Sequence, residues 1–265
     1  MTAPTASRPL ALVTGASSGI GLELARELAV RGHDLVVTAE DAELDTAAAT
    51  LSAAGTQVTP VRADLSTPAG VEQLWAAAKA VGRPLDVVCL NAGVGKGGPF
   101  VENDLEAELQ VIALNVTGTV HLAKRVLQDM VARGSGRVLV TSSIASTQPG
   151  SYHAVYNASK SFEQSFTQGV QEELKGTGVT LTSLMPGPTD TEFFDRGDLT
   201  DTPLGATSMK DDPAQVAKQG IDALMNGERK VVGGSLMTKL QAAAAAVLPD
   251  AVKAKAHALM AKPKG

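Results

Sequence analysis

Residues 10–15, "LALVTG", are apolar at successive rather than alternate positions, and a glycine-rich turn leads them into "GLELARELAVRG" (21–32), which has helical periodicity and a closing glycine. A strand that is apolar on both faces must be covered on both faces, and helices packed on a parallel sheet do this. The unit recurs. "DLVVTA" (34–39) reads as a second strand and "AELDTAAATLSAAG" as a second helix. "QVTPVRADL" reads as a third strand whose first half Pro60 demotes, followed by the helical "VEQLWAAAKAVG". "LDVVCLNAG" (85–93) is a fourth strand, and a long helical region runs from about Asp104 to Arg133. "GRVLVTSS" (136–143), a helix over 154–178, "VTLTSLMPGP" (179–188) and "KVVGGS" (230–235) complete about seven strands. This alternation predicts an α/β fold, a doubly wound parallel sheet with right-handed crossovers and helices on both faces.

A chain of 265 residues with 44% hydrophobic and 19% charged residues can bury a large core, and one domain spanning 1–265 is expected. With 3% aromatics, that core must be built from Ala, Val and Leu. The net charge of −5 argues against a nucleic-acid partner, which needs a clustered basic face. The single cysteine, Cys89, lies in the apolar "LDVVCL" and reads as a small buried hydrophobe. "MTAPTASRP" lacks an apolar signal core and no stretch reaches the ~18 apolar residues of a membrane span, so the expectation is a cytoplasmic location. No metal site is read.

In a sheet of this kind ligands bind at the carboxyl ends of the strands, where strand order reverses. The first strand ends in "TGASSGIG" (14–21). Gly15 permits a tight turn, while Gly19 and Gly21 let a pyrophosphate approach the backbone at a helix start. The spacing differs from the G-x-G-x-x-G of two-domain dehydrogenases. Other strand ends bring Asp64, "NAG" (91–93), Ser142 and Ser143, and "PGPTDT" (186–191) to the same edge. Asn115 falls inside a helical region, where Asn is mildly unfavourable. "YNASK" (156–160) puts a tyrosine and a lysine on one helix face. His153 reads as a solvated loop residue at a site rim. The polar segment 190–214 breaks the alternation, though Phe193, Phe194, Leu199, Leu204 and Met209 give it apolar character. The tail from Met237, with its alanine run, reads as a helical extension packed on the body.

"TGASSGIG", "NAG", "LNV", "TSS" thirteen residues before a tyrosine, "YNASK" and "PGPTDT", in this order, resemble the classical short-chain dehydrogenases/reductases over roughly residues 8–235. The resemblance implies a Rossmann-type fold and an NAD(P)-dependent oxidoreductase acting on a secondary alcohol or its ketone. It implies a catalytic set of Asn115, Ser143, Tyr156 and Lys160; the thirteen-residue spacing selects Ser143 over Ser142, and Tyr152 has no lysine four residues on. Tyr156 would move the proton. A phenol of ordinary pKa about 10 is a poor base at neutral pH, and Lys160 would favour the phenolate. Ser143 would hold the substrate oxygen, and Asn115 would fix a water linking Lys160 to solvent.

For the cofactor the resemblance implies Ser17, Ile20 and the three glycines around the diphosphate and Asp64 and Leu65 at the adenine. Asn91, Ala92, Gly93 and Lys160 would meet the ribose, and Pro186, Gly187, Thr189 and Thr191 the nicotinamide end. Glu40 follows the second strand, and neither Glu40 nor Ser18 is basic, so NAD is expected over NADP. The usual acidic position aligns with Ala39, one residue earlier. A non-catalytic dinucleotide sensor is the alternative, and it would predict a broken tetrad. Relatives pair through the helices corresponding to 104–133 and 154–176, which predicts a homodimer. The tail lies near the surface many relatives use for a tetramer. Substrate choice falls to 94–100, 144–153 and 190–214.

Overall fold

The computed structural model describes residues 8–53, 55–207, 210–245 and 247–262; Met209 lies outside them. Seven strands, β1 (Leu10–Thr14), β2 (Asp34–Ala39), β3 (Val58–Arg62), β4 (Leu85–Leu90), β5 (Gly136–Thr141), β6 (Val179–Pro186) and β7 (Lys230–Gly233), form one sheet. Their order is β3-β2-β1-β4-β5-β6-β7 and every pairing is parallel. The order reverses between β1 and β4.

The helices are α1 (Gly19–Val30), α2 (Glu43–Ser52), α3 (Pro68–Ala80), α4 (Leu105–Ile112), α5 (Thr119–Arg133), α6 (Ala154–Glu173), α7 (Phe193–Arg196), α8 (Pro213–Met225), α9 (Leu236–Ala245) and α10 (Asp250–Ala261). Two apolar layers cover the sheet. Leu24 and Leu28 of α1, Leu44 of α2 and Ile221 of α8 pack on one face. Leu74 of α3 and Leu122, Val126 and Met130 of α5 pack on the other. Every residue of β1 and β2 is buried, as successive apolar positions require.

Three local features depart from the sequence expectation. Pro60 sits inside β3, paired with Val37, because β3 is an edge strand on which a missing N–H costs no ladder bond. The 104–133 region is interrupted by a π-helical turn, Ala113–Gly118, between α4 and α5. There the Asn115 side chain bonds the backbone of Val94 rather than its own helix, and Gly118 lets the turn close on the sheet edge: a Cβ on Gly118 would sit 2.2 Å from the Leu65 carbonyl oxygen. Helix α8 has no counterpart in the sequence reading. Asp212 caps it by accepting from the Ala214 N–H, and Val216, Ala217, Ile221 and Leu224 form its buried stripe.

The central strand ends are tied by side chains. The Thr14 hydroxyl accepts from the N–H groups of Asn91 and Ala92 at 2.8 and 2.9 Å. The Asn91 amide in turn donates to the Thr14 carbonyl at 3.1 Å and accepts from the Thr141 hydroxyl at 3.0 Å. β1, β4 and β5 thus end in one hydrogen-bonded row at the reversal.

Candidate active site

A cavity of about 780 Å³ opens along the carboxyl edge of the sheet. Gly15, Ser17, Ser18, Gly19, Ile20 and Gly21 line it beyond β1, and Glu40 does so beyond β2. Asp64 and Leu65 enter from β3, and Asn91, Ala92 and Gly93 from β4. Pro186, Gly187, Thr189 and Thr191 enter beyond β6. All the expected cofactor-contacting residues therefore share one cavity, as do Ser143, Tyr156 and Lys160.

The glycine turn is shaped by what it lacks. Gly15 and Gly19 have φ of 66° and 55°, a backbone region that side chains disfavour. A Cβ on Gly21 would lie 1.9 Å from the Gly15 carbonyl oxygen. No acidic residue stands in the first turn of α1, so its positive end faces the cavity without an internal carboxylate. Such a cradle fits a diphosphate. The Ser17 hydroxyl is already engaged: it donates to Asp41 at 2.9 Å, and Arg196 lies 3.5 Å from the same carboxylate oxygen. Asp41, not Glu40, is thus the acid tied to the turn. Glu40 is exposed, with its backbone carbonyl accepting from Arg62 at 3.4 Å.

At the other end of the cavity Tyr156 and Lys160 project from α6. The Lys160 ammonium is 4% exposed and donates to the Thr141 carbonyl at 2.9 Å. It also lies 2.8 and 3.2 Å from the two oxygens of Glu163, a residue the sequence reading did not single out. Burial by itself depresses the lysine, but Glu163 and Tyr156 outweigh it and leave Lys160 above its usual value. Burial raises Tyr156; Lys160 and a hydrogen bond with Ser143 pull it down, while Glu163 pushes it further up, and the net direction is upward. The expected pull of Lys160 toward phenolate is therefore outweighed in the chain itself. Ser143 closes β5 and accepts from the Ala145 N–H at 3.0 Å.

Asn115 is fully buried and does not line the cavity. Its amide bonds Val94 N and O, each at 2.9 Å, and donates to the Ser159 hydroxyl at 2.9 Å. Its place is one of scaffolding beside Gly93: a Cβ there would meet Asn115 Oδ1 at 3.2 Å and Lys160 Nζ at 3.3 Å, so the glycine keeps open the space between them.

His153 is not the solvated rim residue expected. It is 3% exposed and its ring stacks on Tyr156, with centroids 4.4 Å apart. Phe193 lies beside both rings, its centroid 5.1 Å from Tyr156 and 6.3 Å from His153. The sequence signal was present, since His153 stands three residues before the tyrosine at the start of α6 and can share its face. The tail supplies a roof. Lys253 of α10 donates to the Thr147 carbonyl at 2.9 Å, and His257 bonds the Ser151 carbonyl at 2.9 Å. Met237, Ala242, Ala245, Leu248 and Met260 turn apolar surface into the cavity. Cys89 is buried beneath the sheet edge, its thiol pushed up to about 12 by burial, which leaves it inert.

Residues 9–200 match the family described as short chain dehydrogenase. The chain belongs to the short-chain dehydrogenase family. It is 39% identical over 185 residues to 1-deoxy-11-beta-hydroxypentalenate dehydrogenase of Streptomyces exfoliatus, covering 68% of this chain and 67% of that one. It is 37% identical to a putative ketoacyl reductase of Streptomyces coelicolor over 71% of this chain and 73% of the relative. Among solved structures, a short-chain dehydrogenase from Sphingobium yanoikuyae in complex with NADPH superposes with a TM-score of 0.79 at 30% identity, over 84% of this chain and 87% of the other. One from Burkholderia phymatum in complex with NAD gives 0.75 at 26% identity, over 85% and 89%. The chain is thus an oxidoreductase of a family whose members hold nicotinamide cofactors, and its seven-stranded Rossmann-like sheet is theirs.

The buried His153 makes a stability prediction. Burial, with His257 nearby, lowers its pKa from 6.5 to about 3, so between these values the unfolded chain binds more protons than the folded one. The stability tied to this group is complete above pH 6.5 and is lost as pH falls toward 3. Among the described residues His153 Nε2 has no hydrogen-bond partner, so His153→Phe removes the titration without breaking a bond there. Urea denaturation at a series of pH values should show a flatter acid decline in His153→Phe than in the parent. Equal slopes would contradict the assignment.

Proposed function

We propose that the chain is an NAD(P)-dependent oxidoreductase that interconverts a secondary alcohol and its ketone, with Tyr156 as general acid/base. The observation that carries this reading is the meeting of Ser143, Tyr156 and Lys160 at one end of a cavity whose other end is a glycine-built diphosphate cradle. The bound nicotinamide supplies or accepts the hydride. The chain's part is to hold the oxygen at Ser143, to move a proton at Tyr156 Oη, and to keep a cation one helical turn away at Lys160. His153 and Phe193 flank the phenol and limit water around it. Asn115 is read as the residue that holds the strand-end backbone around Gly93, and through it the proton route past Lys160.

We infer an apolar ketone or alcohol as substrate. Its walls include Phe193 and Leu204 from the segment beyond β6 and Leu248 and Met260 from the tail. The similar ketoacyl reductase and hydroxypentalenate dehydrogenase support this class by name. Tyr156→Phe keeps the ring and its packing. Turnover of such ketones, followed at the reduced-nicotinamide absorbance, should fall about 100- to 10,000-fold while cofactor affinity changes little. Activity within a fewfold of the parent would rule out Tyr156 as the proton carrier.

We further propose NAD over NADP. Glu40 and Asp41 both line the cavity beyond β2, and a carboxylate 4 Å from a 2′-phosphate costs about 1 kcal/mol even in bulk water, more where water is scarce. Fluorescence titration should give tighter binding of NADH than of NADPH, and Glu40→Arg should move the ratio toward NADPH. Tighter NADPH binding by the parent would overturn the preference.

The same reading includes a homodimer across α4, α5 and α6. Leu105, Leu109, Ile112 and Phe162 are exposed on these helices, and Ile112, Val116, Val155 and Ala158 line a shallow apolar groove there. Light scattering at micromolar concentration should give twice the chain mass. Monomer alone would exclude the pairing.

A further inference from the structure

Glu163 plays no part in the chemistry described so far, yet it is the most consequential charge in the site. It lies on α6 three residues after Lys160, 2% exposed, with both carboxylate oxygens within 3.2 Å of the Lys160 ammonium. An ammonium has three protons to donate. One goes to the Thr141 carbonyl and Glu163 takes a second direction, so Lys160 has one side left for a ligand. An unpaired buried carboxylate is costly, and among the described residues Lys160 is the charged partner of Glu163. The pair carries no net charge, and a neutral pair beside a phenol does not stabilise phenolate as a bare ammonium does.

We propose that Glu163 is a positioning residue that screens Lys160 and so holds Tyr156 as the protonated phenol, setting the site for ketone reduction. This rests on the assignment of Tyr156 as the proton carrier. In that direction a bound reduced nicotinamide would supply the hydride, and the chain's part is to pass a proton from Tyr156 Oη to the carbonyl oxygen and to regain it from solvent. Alcohol oxidation needs the phenolate and is therefore delayed to alkaline pH.

The groups facing this pair are few among the described residues. From β5 come the Thr141 carbonyl and the Ser143 hydroxyl. From the π-helical turn, Asn115 reaches α6 only through the neutral Ser159. From the loop before α6, His153 stacks on Tyr156, and His257 of α10 lies behind it at 6.4 Å; burial keeps both below their usual values, so neither adds charge near neutrality. Burial raises the Glu163 carboxyl to about 7 against the pull of Lys160, so the screen is in place above that pH.

The chain has two tyrosines, so Tyr152→Phe leaves Tyr156 as its one phenolate reporter. Tyrosinate absorbance is titrated in Tyr152→Phe and in the same chain carrying Glu163→Gln or Glu163→Leu, with circular dichroism followed over the same range. In Tyr152→Phe the midpoint is expected above 10.0, and either second change should lower it by about one pH unit or more. Alcohol oxidation should move its alkaline limb to lower pH by a similar amount. A purely structural role for Glu163 would lower stability and leave the midpoint where it was, and that result overturns the proposal. If neither double variant folds, Glu163→Asp in the same background, which draws the carboxylate back by one methylene, is titrated instead, and a midpoint unmoved from that of Tyr152→Phe overturns the proposal. Activity retained by Tyr156→Phe would remove Tyr156 from the reaction without altering this titration, so the two assignments fail separately.

Discussion

The sheet depends on one small weld. Where strand order reverses, β1 and β4 must stay paired while the chain leaves them in opposite directions. The Thr14 hydroxyl fills that role by accepting from two successive N–H groups of the β4 exit, and Asn91 extends the row to Thr141. Backbone donors that a crevice would otherwise strand are satisfied, and Ala92 and Gly93 are fixed against the glycine turn. A Cβ on Gly15 would stand 3.0 Å from Ala92 Cα, which shows how closely the two loops approach.

From that fixed edge the site inherits a buried cation. Lys160 is held at the Thr141 carbonyl, one residue from the Ser142–Ser143 pair that ends the weld's third strand. Burying an ammonium without partners is prohibitive, so the surroundings must supply oxygen atoms. A carbonyl supplies one and Glu163 the rest. The same choice that makes the lysine tolerable also changes what it does to Tyr156. Stability and acid–base chemistry are therefore set by one ion pair.

The roof is a separate invention. Helices α9 and α10 touch the body through a few hydrogen bonds to 147–151, through Asp211, and through the N–H of Leu204 to the Met260 carbonyl. Asp211 is 5% exposed and accepts from the Ser235 N–H and the Thr238 hydroxyl, tying the start of α9 to the loop beyond β6. Leu236 and Leu259 on these helices and Val247 between them remain exposed, while Met260 and Leu248 contribute to the cavity. The tail thus shapes the substrate end.

Strand and helix order was legible because a doubly wound sheet writes it locally: strands apolar at every position, helices apolar every third or fourth. The glycine turn was legible too, since a missing Cβ is a property of the residue itself. Positions whose meaning depends on a partner distant in the chain were not. Pro60 demoted the first half of the third strand, yet that half pairs because β3 is an edge. Asn115 read only as an unfavourable mid-helix residue until the π-helical turn aimed it at Val94, and His153 looked solvated until Phe193 and α10 packed near it. Glu163 read as one more helical acid. By itself the sequence determined which residues could do chemistry and in what order they reach the sheet edge, because local backbone preference and periodicity fix both. Only the tertiary structure decided which charges share a dry environment, because burial and distance, not spacing along the chain, set the strength of an ion pair.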